Sequence, residues 1–335
     1  MFIGCSYERN IEKSAQPRMP QQAHAGVRGA FAGLEFEVIG LPPSRKVLML
    51  KVRLVAAVMT AGAMVLPASD TSTQTIASGL QKPPIVSPTD APTGTETLPV
   101  TWVTVAVPNL GVMRAAVARP AGTGPFPAVL ILHGTHGFAR QYVEWANDLA
   151  RGGFIAVAAC WFSGGGGAGA YAVTPPIPCP EIPPLGSGDY PEAVQLVEAL
   201  VAATRALPGV RADRLALIGH SRGGGAVLQY LLAGGKVQAA ILHSSGYALR
   251  PDSRAGEFNV PIQILHGTTE PAGGGSPNNH VALARNFETA LRRHQKTVEA
   301  SYYEGGDHNS FFVNPAQRDD EVKRMIAFLR RHVAR

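Results

Sequence analysis

The sequence predicts an α/β protein with one domain, built on a mostly parallel sheet of about eight strands with helices on both faces. Short apolar runs bounded by glycine or proline alternate along the chain with amphipathic segments of helical period, which is typical of βαβ units. Hydrophobic residues make up 45% of the 335 residues and charged residues 16%, so a sizeable core is expected. Together with the lack of an internal repeat, these observations favour a single domain over residues 100–335.

The N-terminal segment differs in composition from this domain. Basic residues precede the uncharged run Leu54–Leu66, and small residues follow it, which predicts a secretory signal peptide over 49–68 that is cleaved after Ala68. An uncleaved anchor is the alternative, but the run is shorter than the about 20 apolar residues of a membrane span. We therefore expect an exported protein, periplasmic or secreted, with no stable membrane span. Residues 1–48 are a doubtful leader. Translation is expected to start at or near Met49, because this residue begins a well-formed signal peptide.

The net charge of +6 is concentrated near the N-terminus. Residues 1–53 hold eight Lys/Arg against four Asp/Glu, and the rest of the chain is close to balance. After Arg53 basic residues form no run beyond short pairs, so nucleic-acid binding is not expected. Residues 69–99 are rich in Thr, Ser and Pro without an apolar period, and are predicted to be a flexible linker.

The elements of the domain follow from the period of the apolar residues. Val103–Val107 and Val112–Ala118 flank a turn at Pro108-Asn109, which predicts an antiparallel pair. Buried strands are predicted at Ala128–Leu132, Phe154–Ala159, Leu215–Gly219, Val237–Leu242, Ile262–Leu265 and Val298–Tyr303. Apolar residues at helical spacing predict helices at Ala139–Arg151, Tyr190–Leu207, Gly224–Ala233, Asn279–His294 and Gln317–Val333.

A long irregular loop rich in Gly and Pro is predicted over residues 161–188. Its Gly164–Gly169 segment fits Gly-x-Gly-x-x-Gly, but no helix can follow it, so no dinucleotide cofactor is expected. No His/Asp/Cys cluster has metal-ligand spacing, and no metal is expected. Cys160 and Cys179 would close part of this loop as a disulfide worth about 3 kcal/mol in an exported protein. Two free thiols are the alternative.

The most informative motif is Gly-His-Ser-Arg-Gly at residues 219–223. A buried strand precedes it and an amphipathic helix follows, which is the order of a nucleophile elbow with Ser221 on a strained turn. Gly219 and Gly223 are expected where a Cβ would collide with a neighbouring strand or helix. A glycine-rich turn with an incidental serine is the alternative. A nucleophilic serine needs a base, usually histidine, that is held by a carboxylate.

The base and the acid are expected in loops that follow later strands. Parallel sheets place functional loops at the carboxyl ends of their strands, and the chain order in this arrangement is Ser, acid, His. His308 leaves the last strand and is predicted as the base. Its rivals fit less well, because His243 lies in or at the end of a strand, whereas His280 and His294 fall in a helical pattern.

Glu270 is predicted as the acid, with the role of fixing the imidazole tautomer and stabilising the imidazolium. It lies four residues past His266, just after the penultimate strand. Asp252, after the preceding strand, is the alternative. Asp307 is adjacent to His308 in the chain, which makes it hard for its carboxylate to reach the ring.

Two backbone N–H groups are expected to stabilise an oxyanion. One belongs to Arg222, the residue after the serine, at the start of a helix. The other belongs to the loop after His133-Gly134, and Thr135 is favoured over His136. The aromatic candidates for the pocket wall are Phe138, Tyr142, Trp161 and Tyr171.

At these motifs the sequence resembles the α/β-hydrolase superfamily and, within it, the dienelactone-hydrolase-like branch. The likeness covers about residues 100–335. It rests on Leu132-His133-Gly134, on the 219–223 motif, on Leu265-His266-Gly267 with its acid four positions past the histidine, and on Gly306-Asp307-His308. Dienelactone hydrolases proper use a cysteine nucleophile, whereas this chain has Ser221, as in the serine esterases and lipases of the group. Their acid is commonly Asp, one methylene shorter than Glu270.

The expected function is therefore hydrolysis of carboxylic esters through an acyl-enzyme, without a cofactor, on a small-molecule or lipid-like ester. Ser221 would attack, His308 would carry the proton and Glu270 would orient His308. A serine peptidase of the prolyl-oligopeptidase type is one alternative. Only about 30 residues separate Ala68 from the first strand, which leaves no room for the large propeller of those enzymes. An inactive α/β-hydrolase scaffold used for binding is the other, and it would not require all three side chains.

Overall fold

The computed structural model divides the chain into two compact units, Met1–Ser69 and Asp70–Arg335. The residues that it describes are 82–162, 177–179 and 191–335, with two short N-terminal strands. Those strands, Ala30–Phe31 and Leu34–Glu35, pair antiparallel in the first unit. The signal peptide predicted at 49–68 lies outside the described residues.

A sheet of nine strands forms the framework of the second unit. In chain order the strands are β1 (Ile85–Thr89), β2 (Thr101–Val107), β3 (Gly111–Ala118), β4 (Phe126–Leu132), β5 (Ile155–Ala159), β6 (Val210–His220), β7 (Ala239–His243), β8 (Ile262–Gly267) and β9 (Val298–Tyr303). Across the sheet they run β9-β8-β7-β6-β4-β5-β3-β2-β1. Strands β4 to β9 pair in parallel, whereas β1, β2 and β3 form an antiparallel edge joined to β5.

Helices cover both faces of this sheet. They are α1 (Arg140–Arg151), α2 (Pro191–Ala206), α3 (Arg222–Leu232), α4 (Val281–Arg293), α5 (Ser310–Val313) and α6 (Pro315–His332), with 3-10 helices at Pro251–Glu257 and Pro277–Asn279. Helix α1 packs against α6, and α2 packs against α3. The predicted α/β class and mostly parallel sheet are confirmed. Within the described part of the chain, no helix is long and apolar enough to cross a membrane.

The prediction of a flexible linker over 69–99 is wrong for Ile85–Thr89. These residues form β1, which pairs with β2 from Ile85 opposite Ala106 to Thr89 opposite Trp102 and makes the sheet nine-stranded rather than eight-stranded. The strand lies at the sheet edge and is mostly exposed, so its residues need no apolar alternation. Pro88 is tolerated there because an edge strand does not need every N–H for pairing.

The central strands are apolar because both of their faces are covered. All five residues of β5 and all five of β7 are buried, as are the last six of β4. Strand β6 begins at Val210, five residues before the predicted Leu215, and its exposed first half is polar. The parallel strands β4, β6, β8 and β9 end on the same edge of the sheet, so the loops that follow them meet in space.

Candidate active site

Ser221 lies between β6 and α3 in a strained backbone conformation. Its φ of 52° is in the left-handed region, which costs a non-glycine residue about 1–3 kcal/mol. A Cβ on Gly219 would come within 2.3 Å of the Gly223 carbonyl oxygen, and one on Gly223 within 2.2 Å of the Leu132 oxygen. Both glycines therefore allow the close approach that the sequence predicted, and the serine is held on a tight strand-to-helix turn.

His308 and Glu270 meet Ser221 at the carboxyl edge of the sheet. His308 Nε2 lies 2.9 Å from Ser221 Oγ, although 87 residues separate them in the chain. On the other side of the ring, His308 Nδ1 lies 2.8 Å from Glu270 Oε2. All three side chains are buried, with 7%, 4% and 2% of Ser221, His308 and Glu270 exposed. Loops after β6, β8 and β9 thus bring together the three residues that the sequence singled out.

The Glu270 carboxylate is held by hydrogen bonds on both oxygens. Ser244 Oγ donates to Oε1 at 2.7 Å, and the Gly267 amide donates to the same oxygen at 2.9 Å. Burial raises the pKa of Glu270, but the hydrogen bond from His308 and the charges of His266 and His308 outweigh it, so the net pKa is lowered. Glu270 is therefore ionised at neutral pH, with Oε2 directed at His308.

The alternative acids and bases lie elsewhere. The Asp252 carboxylate pairs with Arg250 on the surface, at 3.0 and 3.2 Å. Asp307 accepts from the Ser310 hydroxyl and from the amide of Asn309, within its own loop. Of the rival histidines, His280 caps α4 and His294 is exposed at the end of that helix, whereas His243 is buried at the end of β7.

The loop after β4 is fixed by a chain of hydrogen bonds. The Gly134 amide donates to the Tyr142 hydroxyl oxygen at 2.9 Å, so that hydroxyl has its own hydrogen for His136 Nε2 at 3.0 Å. Burial raises the pKa of Tyr142 well above 10 and lowers that of His136 to about 4, which keeps both groups neutral. A Cβ on Gly134 would lie 3.1 Å from the Ser221 Cβ, so this loop borders the serine.

The two predicted oxyanion donors belong to the residues that directly follow Ser221 and Gly134 in the chain. Arg222 is the first residue of α3, where the amides of a helix's first turn have no carbonyl partner within the helix. Its guanidinium lies over the Phe162 ring, 4.7 Å from the ring centre. Thr135 follows Gly134 directly and is exposed.

The candidate pocket-wall residues of the described chain are buried. Phe138, Tyr142 and Trp161 each have at most 1% of their surface exposed, and the Trp161 indole donates to the His133 carbonyl at 2.9 Å. Two other predictions for this region concern Tyr171 and the Gly164–Gly169 segment, which lie outside the described residues.

Cys160 and Cys179 form a disulfide, with Cα atoms 5.9 Å apart. His133 lies beside them, and among the residues that the structure describes these three are grouped closely enough to share a metal ion. The sequence did not reveal the group, because its members are far apart in the chain. Burial lowers the pKa of His133 to about 3, so its ring is neutral. The disulfide leaves no thiolate to bind a metal, since a metal ligand is a deprotonated thiol.

Comparisons with known proteins show which family the chain resembles. The family model "Dienelactone hydrolase family" matches residues 113–332. A protein of Bradyrhizobium sp., "Probable 2-oxo-3-(5-oxofuran-2-ylidene)propanoate lactonase", is 27% identical over 237 residues, which cover 64% of this chain and 85% of the relative.

Solved structures share the fold at lower identity. A Pyrobaculum calidifontis esterase is 15% identical with a TM-score of 0.52, over 69% of this chain and 84% of its own. A dienelactone hydrolase-like promiscuous phosphotriesterase from metagenomic libraries is 16% identical with a TM-score of 0.52, over 75% and 99%. The nine-stranded sheet and these neighbours define an α/β-hydrolase fold. Because the family model covers more than half of its residues, the chain belongs to the dienelactone hydrolase family.

Proposed function

We propose that this protein hydrolyses carboxylic esters through an acyl-enzyme on Ser221. His308 Nε2 takes the hydroxyl proton as Oγ attacks the ester carbonyl carbon, while Glu270 holds the Nδ1–H and stabilises the imidazolium. The amides of Arg222 and Thr135 donate to the oxyanion of the tetrahedral intermediate. Its collapse breaks the ester C–O bond, and His308 returns the proton to the leaving alcohol.

The second half of the reaction reverses the first with water as the nucleophile. His308 takes a proton from water, the hydroxide attacks the acyl carbon, and the Ser221 oxygen leaves as the alcohol with the proton from His308. No cofactor is needed. The observation that carries the proposal is the unbroken path from hydroxyl to carboxylate, with contacts of 2.9 and 2.8 Å.

Lactones are a specific substrate class within this proposal. A lactone is a cyclic ester, so the same attack opens its ring and leaves the alcohol attached to the acyl group. The relative from Bradyrhizobium carries the name of a lactonase. We therefore propose that small lactones and acyclic esters of small or lipid-like alcohols are both hydrolysed, and that the protein is exported with its Cys160–Cys179 disulfide formed.

The test is hydrolysis of p-nitrophenyl acetate and butyrate by the wild type and by Ser221→Ala. We expect turnover to fall by at least about 10⁴-fold in the variant, because the nucleophile is lost. A fluorophosphonate probe should label the wild type and leave Ser221→Ala unlabelled. Thermal unfolding of both proteins controls for loss of the fold.

Two results would overturn the assignment. Turnover by folded Ser221→Ala at the wild-type rate would exclude Ser221 as the nucleophile. Wild-type protein that neither reacts with the probe nor hydrolyses any ester or lactone in a chain-length series would favour the binding scaffold. An aminoacyl-anilide in the same series tests the peptidase alternative, which predicts cleavage of its amide bond with release of the aniline, whereas an esterase is expected to leave that bond intact.

A further inference from the structure

A second carboxylate–imidazole chain reaches the elbow from beneath it. Glu321 of α6 and His243 at the end of β7 are both fully buried, as is His220, the residue before Ser221. His243 Nε2 lies 2.9 Å from Glu321 Oε2, at ion-pair distance but not in linear hydrogen-bond alignment. On the other side of the ring, His243 Nδ1 lies 2.8 Å from His220 Nδ1.

The chain is enclosed by well-packed side chains. Gln317 Nε2 donates to the other Glu321 oxygen at 2.7 Å. The His243 ring packs against Trp145 and Phe311, with ring centres 5.2 and 4.7 Å apart. A buried carboxylate is costly to desolvate and seldom adds net stability over an apolar replacement. Its presence beside a reactive serine therefore calls for a role other than packing.

The His220 ring touches both parts of the site that must be held in place. Its centre lies 5.1 Å from that of the His308 ring. Its opposite side faces the loop after β4, because a Cβ on Gly134 would come within 2.9 Å of His220 Cδ2. A rotation of the His220 ring would therefore displace the imidazole of His308 and the Gly134 backbone together.

Hydrogen positions along the chain follow from simple pairing. A lone pair on His243 Nε2 would repel the Glu321 oxygen 2.9 Å away, so this nitrogen carries a hydrogen although the contact is not linear. Two ring nitrogens 2.8 Å apart share one hydrogen, since two lone pairs or two N–H groups would repel each other. With the hydrogen of His243 on Nε2, the shared hydrogen belongs to His220 Nδ1. His220 then keeps a lone pair on Nε2.

We propose that Glu321, acting through His243, is a positioning residue that fixes the tautomer and orientation of His220 and thereby the place of His308. This role rests on the proposed function of Ser221 and His308.

Other titratable groups lie beside Glu321, His243 and His220, and a substitution of Glu321 leaves those groups in place. Those that face His220 or His308 come from the loop after β4, from β7, from β8 and the loop after it, and from the loop after β9, whereas Tyr303 of β9 faces Glu321. They are His133, His136, His243, His266, Glu270, His308 and Tyr303. Burial lowers the pKa of His220 well below 6.5, so the ring is neutral at working pH. Titration of His220 itself is therefore not expected near neutral pH.

The first test measures the tautomer in the wild-type chain labelled with ¹⁵N-histidine. Long-range ¹H–¹⁵N spectra at pH 7.5 should show His220 with a protonated Nδ1 and an unprotonated Nε2, the peak being identified by its loss in His220→Gln. A hydrogen on Nε2 of His220 would overturn the proposal. This readout does not depend on activity, so it stands even if Ser221 proves not to be a nucleophile.

The second test compares the pH profile of kcat/KM for Glu321→Gln and the wild type. We expect kcat to fall about 3- to 10-fold across the profile with KM unchanged, because a displaced His308 ring accepts the Ser221 proton less well. Asp320→Asn is the matched control, since this neighbouring carboxylate is half-buried and pairs with Arg324 and the Tyr303 hydroxyl rather than with His243. Its profile should equal that of the wild type.

A purely structural role for Glu321 predicts a different pattern. It would lower the melting temperature or the yield of Glu321→Gln and leave kcat and KM of the folded protein at the wild-type values, and that result would overturn the proposal. If Glu321→Gln does not fold, the His220 tautomer measured in the wild type still tests the proposal. Active wild-type enzyme with the wrong tautomer refutes the positioning role alone, whereas inactive wild-type enzyme refutes the proposed function.

Discussion

Two carboxylate–imidazole chains converge beside Ser221, and they differ in the group that ends them. The pair Glu270–His308 ends on a hydroxyl at 2.9 Å, whereas Glu321–His243 ends on another imidazole at 2.8 Å. In the first chain a proton can pass to a group that forms bonds with substrate. In the second it can only be shared between two rings. The same residue types therefore serve chemistry or positioning according to what stands at the end of the chain.

The two carboxylates are also held differently. Glu270 accepts hydrogen bonds from Ser244, Gly267 and His308, and these occupy both of its oxygens. Glu321 accepts from Gln317 on one oxygen, and its contact with His243 is not linear. The first carboxylate is thus tightly oriented, as a group must be when it fixes a catalytic tautomer. The second acts over a longer distance, and smaller effects are expected from its removal.

The largest expected difference comes from the first carboxylate. Glu270→Gln should lower kcat of ester hydrolysis by about 10³- to 10⁴-fold, because an amide can hold the imidazole in the wrong tautomer and carries no charge to stabilise the imidazolium. Asp252→Asn is the matched control and should leave kcat unchanged, since its carboxylate pairs with Arg250. Initial rates on p-nitrophenyl butyrate measure both. A drop confined to Asp252→Asn would reverse the assignment of the acid.

A smaller effect is expected from the group that orients Glu270. Ser244→Ala removes a hydrogen bond of 2.7 Å to the carboxylate and should lower kcat about tenfold, the value of one charged hydrogen bond of about 1.4 kcal/mol. Ser253→Ala is the control, because that hydroxyl is exposed and donates to the Arg250 carbonyl. Equal rates for the two variants would show that Glu270 is held without Ser244.

The smallest effect concerns stability rather than rate and belongs to the second chain. Burial holds the pKa of His220 well below 6.5 in the folded state, whereas the unfolded chain takes up the proton near 6.5. The contribution of this neutral ring is therefore complete above pH 6.5 and is lost as the pH falls, by up to about 1.4 kcal/mol per pH unit. Urea unfolding between pH 7.5 and 5 should show this slope.

His220→Gln should make that dependence shallower, because the variant has no ring to protonate in the unfolded state. The exposed His294 provides the control, and His294→Gln should keep the wild-type slope. A slope that is the same in the wild type and His220→Gln would mean that the ring of His220 is protonated to the same extent in both states.

Much of the site was predictable because its residues follow local patterns. Ser221 sits between a buried strand and a helix, and its flanking glycines mark a turn that admits no Cβ. His308 was identified by its position after the last strand. Ser244 could not be distinguished, since a serine after a strand gives no sign that its hydroxyl will reach a carboxylate 26 residues away. His243 was considered only as a rival base, and nothing in the sequence linked it to Glu321.

The edge strand β1 is a part of the fold that the sequence pattern likewise did not reveal. Ile85–Thr89 contains Ser, Pro and Thr, and its composition is that of a linker. It becomes a strand because the exposed edge of β2 offers unpaired backbone groups. A segment whose structure depends on a partner's backbone has little of its own pattern to detect.

The sequence by itself determined the α/β class and the elbow at Ser221, because these depend on residues that are neighbours in the chain. It also determined the order in which acid and base follow Ser221, because each of them comes after a later strand. Only the tertiary structure decided that Glu270 and not Asp252 faces His308, that Cys160 and Cys179 are joined, and that a second buried carboxylate lies behind the elbow. The physical reason is that hydrogen bonds and pKa values depend on distances across the sheet edge. Those distances are set by how strands and loops from remote parts of the chain pack together.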